Sequence, residues 1–204
     1  MGRQAAKRTS PPGTDGRRAR GERRKAEIID ATLRVVERDG ADGVTHRSVA
    51  READVPPGLL TYYFASLEEL LVAALSAVAD EYVAQLEEIA ASADPLTGFA
   101  ELIASTGTTG RCRAVAEREL STLAARRPAL RPKARYWREA VKGIGLRYTS
   151  HPMHVEALVA AADGLCAAIL LEYADPDPEH IRAVLARALG VSPADGDRRA
   201  RPTR

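Results

Sequence analysis

Apolar residues recur along this chain at intervals of three and four positions, and segments in which apolar and polar residues alternate are almost absent. This spacing puts apolar side chains on one face of an α-helix, so the pattern predicts an all-α protein. The helices are expected at about residues 23–38, 66–91, 95–105, 111–125, 130–148, 153–173 and 178–190, with two short helices between residues 45 and 64.

The longest of these helices begins at Ser66, where a serine followed three residues later by Glu69 matches a capping box. Its apolar stripe continues to about Ala91. Some 26 residues at 1.5 Å each give a rod of roughly 39 Å. A rod of that length joins two bodies rather than lying within one, so the chain is divided into a disordered basic arm at 1–22, a first helical domain at 23–68, a second helical domain at 69–191 and a flexible tail at 192–204.

Two short helices joined by a tight bend precede the long helix. Thr45 is a natural N-cap for the first, and Val49, Ala50 and Ala53 give that helix one buried face. The Pro56-Pro57-Gly58 bend ends it and starts a second helix of barely two turns. A helix so short must be held by its neighbours, and it closes on three aromatic residues. This arrangement predicts a helix-turn-helix whose second helix enters the DNA major groove.

The charge is distributed unevenly, although the net charge is only +2. Residues 1–25 hold nine arginines and lysines against two acids, so this segment carries +7 and the remainder carries −5. A basic arm leading into a helix-turn-helix is typical of DNA-binding proteins. A solvated tail without a partner is the alternative interpretation of the same charge.

The composition points to a soluble cytoplasmic protein, associated with the nucleoid only through DNA. The two cysteines, Cys112 and Cys166, are far apart and lack metal-ligand spacing, which fits a reducing compartment. The N-terminus has no apolar segment typical of a signal peptide. The most hydrophobic segment, Ala157 to Leu171, is interrupted by Asp163 and is expected to be too short for a membrane span.

Residues 23–75 resemble the tetracycline-repressor (TetR) family of transcriptional regulators. Two positions depart from the family pattern, because Thr61 stands where tyrosine is usual and Leu67 where lysine is usual. The matching positions are Thr45, Val49, Ala50, Ala53, Val55, Pro56, Pro57, Gly58, Tyr62, Tyr63, Phe64, Ser66, Glu68, Leu70 and Leu71. Beyond residue 75 the resemblance is architectural. It implies an all-α protein in which an N-terminal three-helix helix-turn-helix DNA-binding domain, residues 23–68, is joined by the long helix to a C-terminal helical ligand-binding and dimerisation domain, residues 69–191.

The resemblance also implies which residues contact DNA. Residues at the start of the second helix would meet phosphate, those of the recognition helix would approach base edges, and the tyrosines would bind phosphate. Leu60 has a second interpretation as a core residue, and Phe64 is expected in the core. The predicted DNA-binding set, with two arginines from the basic segment, is Arg23, Arg24, Thr45, His46, Arg47, Pro57, Gly58, Leu60, Thr61, Tyr62 and Tyr63.

A regulatory pocket is expected among the middle helices, because a few aromatic and polar groups within apolar helices can line a ligand cavity. Ordinary core packing is the alternative for each of these residues. The predicted ligand-binding set is Phe99, Cys112, Glu119, Trp137, Val141 and Cys166. Glu117 and Glu119 also form a carboxylate pair, which is interpreted as part of a solvated face rather than as an active site.

The helices at about 153–173 and 178–190 carry more apolar surface than one neighbour would cover, which predicts a homodimer through them. The residues concerned are Met153, Leu158, Leu165, Ile169, Leu170, Ile181, Val184, Leu185 and Leu189. A twofold dimer would bind a palindromic operator. The resemblance therefore implies a homodimeric transcriptional repressor that binds double-stranded DNA and is released from it by a small-molecule inducer.

Two other classes of protein remain open. One is a DNA-binding protein without sequence preference, and the other is a small helical enzyme, although no nucleophile–base motif is visible. No cofactor, metal or membrane partner is expected. His151 and His154, with Glu156 and Cys112, resemble metal ligands, but Pro152 between the histidines indicates the start of a helix instead.

Overall fold

The structure, a computed structural model, describes residues 12–172 and 174–192, with side chains from residue 16 onward. All regular elements within these residues are helices, joined by loops and turns. The α-helices are α1 (Pro12–Asp39), α2 (His46–Glu52), α3 (Pro57–Tyr63), α4 (Leu67–Ala91), α5 (Pro95–Ser105), α6 (Arg111–Leu123), α7 (Arg131–Ala134), α8 (Tyr136–Gly145), α9 (Pro152–Leu170) and α10 (Pro178–Ala188). Short 3₁₀ turns lie at Ala41–Gly43 and Pro128–Leu130. The all-α prediction is confirmed.

The first helix begins earlier than the sequence suggested. It runs for 28 residues from Pro12, so the prediction of a disordered arm is wrong from Pro12 onward. The rest of that arm, residues 1–11, lies outside the described residues, as does the tail from residue 193. The helix ends where expected, because Gly40 adopts a φ of +73°, a left-handed conformation that glycine adopts without steric cost.

The two short helices form as their local signals predicted. The Thr45 hydroxyl accepts from the Ser48 amide at 2.9 Å, and the Ser48 hydroxyl oxygen accepts from the Thr45 amide at 2.8 Å. At the start of α4, Ser66 caps the Glu69 amide, whereas the Glu69 carboxylate reaches past the cap to the Ala65 amide. Both predicted N-caps are therefore confirmed.

The long helix α4 contributes to two separate hydrophobic cores. Its first half, including Leu71 and Leu75, packs with α1, α2 and α3. Leu86, near its other end, belongs to the core that α5, α8, α9 and α10 share. The first core also includes residues from the second half of the chain, because Ala116 and Leu120 of α6 are buried in it. The same helix therefore contributes to both cores, and the first core extends past the predicted domain boundary at residue 68.

The predicted helix at 130–148 is divided into a 3₁₀ turn and the helices α7 and α8, with a turn at Arg135 between them. The apolar period of that segment is retained across the break, since Leu130, Val141 and Ile144 are all buried. Because α7 and α8 are separate helices, Trp137 lies in the first turn of α8.

Helix α9 is apolar and only partly covered. With 19 residues it is long and apolar enough to cross a membrane by length and composition, so the expectation that this segment is too short was wrong. Only 28% of its apolar 18-residue stretch is buried inside the protomer. One face packs into the second core through Val155, Leu158, Val159 and Ala162, and several positions of the opposite face, such as Ala160 and Gly164, are exposed.

Candidate nucleic-acid interface and ligand cavity

Helix α3 presents one face to the core and the other to solvent. Leu60 and the C-capping Phe64 are completely buried. Tyr62 points outward with 79% of its surface exposed, and its ring meets that of Tyr63 edge-on with centroids 5.1 Å apart. The buried leucine and phenylalanine hold a helix that is too short to be stable alone, while the tyrosines remain available.

The structure leaves most of the predicted DNA-binding set exposed. The exposed members are Arg23, Arg24, Thr45, Arg47, Pro57, Gly58, Thr61 and Tyr62, and the half-buried ones are His46 and Tyr63. Leu60 is the exception, because its complete burial excludes it from contact with a base, and this assignment is corrected. The Nε2 atom of His46 is also buried and has no hydrogen-bond partner in the described part of the chain.

A basic groove runs between α1 and α3, and it is lined by arginines beyond the two in the predicted DNA-binding set. It is open to solvent and has a volume of about 870 Å³. Arg17, Arg18 and Arg20 were expected in a disordered arm, but they lie on α1 beside α3. The residues that line the groove are Arg17, Arg18, Arg20, Gly21, Glu22, Arg23, Arg24, Lys25, Glu27, Leu59, Tyr62 and Tyr63.

A cavity of about 70 Å³ lies in the second half of the molecule. Its lining residues are Tyr82, Leu86, Phe99, Leu102, Ile103, Thr106, Ala114, Glu117, Arg118, Trp137, Val141, Ala162, Asp163, Cys166 and Leu170. Four residues of the predicted ligand-binding set, Phe99, Trp137, Val141 and Cys166, come together here. Burial raises the pKa of the Cys166 thiol to about 12, so this thiol is protonated at neutral pH.

The other two residues of that set lie elsewhere. Glu119 is exposed on α6 and does not line the cavity. Cys112 lies near the start of α6 beside Glu37 of α1, where burial and then this carboxylate raise the pKa of its thiol to about 11. Both residues face away from the cavity because they lie on the side of α6 opposite Glu117 and Arg118, so these two assignments are corrected.

Glu117 was interpreted as part of a solvated face, but the structure places it on the cavity wall. The Ser121 hydroxyl donates a hydrogen bond to its carboxylate, and burial raises its pKa. The neighbouring Arg118 binds the Asp163 side chain of α9 at 3.0 Å. A sequence signal did exist, since Ala114, Glu117, Arg118 and Ser121 follow the helical spacing of a single face. A face so rich in polar residues resembles a solvated one.

A polar recess of about 220 Å³ adjoins the cavity. The two spaces share Glu117, Arg118, Trp137 and Asp163 in their walls. Arg138 lines the recess and lies over the Trp137 ring, with 5.7 Å between its guanidinium carbon and the ring centroid. The cavity therefore has an apolar interior and a charged boundary toward the recess.

Two histidines lie close together at the start of α9. His151 and His154 stack with their ring centroids 4.7 Å apart. In the part of the chain that the structure describes, no three histidine, cysteine or acidic side chains come together as metal ligands would.

Two family models match this chain. Residues 28–74 match the model described as "Bacterial regulatory proteins, tetR family", and residues 90–191 match "Tetracyclin repressor-like, C-terminal domain". Among curated proteins, the chain is 35% identical over 69 residues to the HTH-type transcriptional regulator PksA of Bacillus subtilis, covering 34% of each protein. It is 33% identical over 84 residues to the regulator BetI of Burkholderia ambifaria, covering 40% of this chain and 43% of BetI. The chain thus matches less than half the length of these relatives.

Solved structures are similar over most of the chain. The multidrug binding protein EbrR complexed with ethidium is 38% identical and has a TM-score of 0.68, with 81% of this chain and 97% of that chain covered. A TetR-family member from Streptomyces coelicolor A3 is 39% identical and has a TM-score of 0.72, with the same coverage of both chains. These similarities include the cavity-bearing half, for which the sequence had shown only an architectural resemblance.

The matched models describe regulators that bind DNA and are not enzymes. A regulator of this kind is a soluble cytoplasmic protein. The sequence-based expectation of a non-enzymatic DNA-binding protein is therefore confirmed.

Proposed function

The chain belongs to the tetracycline-repressor family of bacterial transcription regulators, and we propose that it is a homodimeric repressor that binds a palindromic operator and leaves it when a small molecule enters the cavity. One observation carries the DNA-binding part of this proposal. A recognition helix anchored by Leu60 and Phe64 exposes Tyr62 beside a groove lined by arginines.

The proposed interface separates base contacts from phosphate contacts. Pro57, Gly58 and Thr61 lie on the exposed face of α3, where a Cβ added at Gly58 would meet no atom within 4 Å. This open backbone lets α3 approach base edges closely. The tyrosine hydroxyls and the arginines of α1 would bind the sugar-phosphate backbone on either side, which positions the helix without specifying sequence.

The proposed dimer uses the uncovered faces of α9 and α10. Along α9 and at its C-cap Leu171, the exposed positions Met153, Glu156, Ala160, Gly164 and Leu171 recur at helical spacing. Small side chains there allow a second helix to approach closely. Leu158, Ile169, Ile181, Leu185 and Leu189, which were expected in the interface, are instead buried within the protomer. The proposed interface therefore rests on the opposite faces of the same two helices.

The proposed release works through α6, which touches both cores. Its Glu117 and Arg118 line the cavity, whereas Ala116 and Leu120 are buried with the DNA-binding helices. A ligand that favours a different position of α6 would therefore also move α1, and with it the recognition helix. EbrR, a similar protein, has been solved with ethidium, proflavin and malachite green, which supports a small-molecule site in this half.

A gel shift tests the role of the recognition helix. The duplex would be selected from a random-sequence library by the wild-type protein. Tyr62→Ala combined with Tyr63→Ala is expected to abolish binding to that duplex and to leave the oligomeric state unchanged. Tyr136→Ala is the matched control, because Tyr136 is an exposed tyrosine on α8, outside the groove. Retained binding by the double variant would remove the assigned role of α3.

A further inference from the structure

The wall of the cavity holds one acidic side chain without a basic partner of its own. No salt bridge joins Glu117 to a lysine or arginine in the described part of the chain, and its hydrogen bond comes from the neutral Ser121 hydroxyl. The nearest candidate, Arg118, pairs with the Asp163 carboxylate at 3.0 Å and also donates to the Asp163 carbonyl at 3.0 Å. Glu117 is therefore the one charged side chain of the cavity wall that takes part in no salt bridge within the described residues.

The remaining wall is apolar and contains three aromatic side chains, Tyr82, Phe99 and Trp137. A desolvated carboxylate is costly to bury, and a cation that pairs with it relieves the cost. Aromatic faces also attract cations through their quadrupoles. A neutral ligand would leave Glu117 without a counter-charge, and an anionic ligand would be repelled by it.

The size of the available space limits the shape of the ligand. The cavity of about 70 Å³ and the recess of about 220 Å³ share the Glu117 wall, so a ligand spanning both has its middle beside this carboxylate. Together they approach the lower limit of typical small-molecule sites, roughly 300 Å³. This volume fits a compact molecule of two or three fused rings.

We propose that the ligand of this cavity is a compact aromatic cation whose charge pairs with the Glu117 carboxylate while its rings pack against Trp137 and Phe99. The proposal rests on the small-molecule regulation proposed above and adds the charge class of the ligand and the residue that selects it. Glu117 is thus a specificity-determining residue, and Arg118 holds Asp163 so that only one carboxylate is available.

The pairing makes ligand binding depend on pH in one direction. Burial raises the pKa of Glu117, so lowering the pH protonates the free carboxylate, and a cation then binds less tightly. Binding should therefore strengthen as the pH rises through this raised pKa, with release of a proton. The other charged or titratable groups facing the site from its neighbouring helices are Tyr82 of α4, Arg118 of α6, Arg138 of α8, and Asp163 and Cys166 of α9.

The test compares two ligands of the same shape. N-methylacridinium is a cation, and 9-methylanthracene is its neutral isostere. Because both are fluorescent, the binding of each to the full chain can be followed by a fluorescence titration without DNA. The wild-type protein is expected to bind the cation at least tenfold more tightly. Glu117→Gln should weaken cation binding by roughly tenfold to a hundredfold, as expected when a charge-assisted contact is lost, and should bind the neutral ligand as wild type does.

Glu119→Gln is the matched control, because it removes the same charge from an exposed position two residues away. It should bind both ligands within about twofold of wild type. Equal wild-type affinities for the two ligands, absent cation binding, or an unchanged Glu117→Gln affinity would overturn the proposal. An equal loss of both ligands in Glu117→Gln would also overturn it, since that result indicates a structural role. The pH dependence should disappear in Glu117→Gln.

A gel shift with the same dye separates this proposal from the proposed repressor function. N-methylacridinium should release wild-type protein from the selected duplex and leave Glu117→Gln bound, which also controls for direct intercalation of the dye. Cation binding through Glu117 without release from DNA would support the ligand class and contradict the proposed induction. Cation binding by a protein that binds no duplex selectively would contradict the repressor function alone.

Discussion

The DNA-binding helices and the cavity-bearing helices of this protein are built on different principles. In the first region the short helices are fixed by local signals: the Thr45 cap begins α2, and the Pro56-Pro57 bend begins α3. Leu60 and Phe64 are completely buried and anchor α3 to the core. In the second region the helices leave a cavity, a charged wall and an uncovered apolar face on α9. The short helices are thus held by caps and complete burial, whereas the second region keeps open space where the proposed ligand and second copy would fit.

The sharpest test of this difference is a pair of core substitutions. Phe64→Ala is expected to destabilise the protein by roughly 3–5 kcal/mol, because Phe64 is completely buried and its neighbours cannot close the space. Phe99→Ala should cost less, since Phe99 already borders a cavity. Urea unfolding measures both free energies of unfolding. A larger loss for Phe99→Ala would contradict the contrast between a tightly packed region and an open one.

A charge on α9 should disrupt assembly without disrupting the fold. Gly164→Glu would place two like charges together at the proposed twofold interface, which costs several kcal/mol and should weaken dimerisation by at least about a hundredfold. Gly143→Glu on α8 is the matched control, since a Cβ at either glycine meets no atom within 4 Å. Sedimentation velocity reports the oligomeric state. A dimeric Gly164→Glu variant would place the interface elsewhere.

The arginines of α1 should control how salt weakens DNA binding. Replacing Arg17, Arg18 and Arg20 by glutamine should reduce the slope of log affinity against log salt by about two units or more, since each phosphate contact contributes roughly 0.9. An equal charge change at Arg126, Arg135 and Arg147, which are exposed outside the groove, should leave the slope unchanged. If the two triple variants showed the same slope of log affinity against log salt, the groove would have no specific role in binding DNA.

The smallest expected effect concerns the contact between the two regions. The Arg113 guanidinium of α6 donates a hydrogen bond to the Asp30 carboxylate of α1 at 3.2 Å and lies 3.5 Å from the Glu81 carboxylate of α4. Arg113→Gln should preserve binding of DNA and of ligand separately, but reduce the coupling between them by about 0.5–2 kcal/mol. Operator affinity measured with and without N-methylacridinium gives that coupling. Arg126→Gln is the control, and an equal effect in both variants would exclude Arg113 as a connection.

The sequence predicted the first region better than the second because its determinants are local. A threonine cap or a proline bend acts within a few residues, so the positions of α2 and α3 could be inferred from their own residues. How deeply a side chain is buried depends instead on helices that are distant in sequence. Glu117 and Glu119 look equivalent along the chain, and only the packing of α6 against α4 and α9 separates the cavity wall from the solvated face.

Two further differences have similar causes. Leu60 was assigned both to DNA and to the core because a helix of two turns has too few residues to define its buried face. The early start of α1 was missed because the segment from Pro12 contains Gly13, Gly16 and Gly21, and glycine lowers helix propensity by about 1 kcal/mol each. Propensity is a weak guide where tertiary contacts or a continuing helix decide the outcome.

Footprinting tests the central claim most directly, namely that two copies of α3 dock into one duplex. Hydroxyl-radical protection of the selected duplex should reveal two inverted half-sites whose centres are separated by one helical turn, roughly 34–36 Å, or a multiple of it. Protection of both half-sites should disappear together in Tyr62→Ala/Tyr63→Ala. A single protected half-site, or protection without sequence preference along the duplex, would contradict the account.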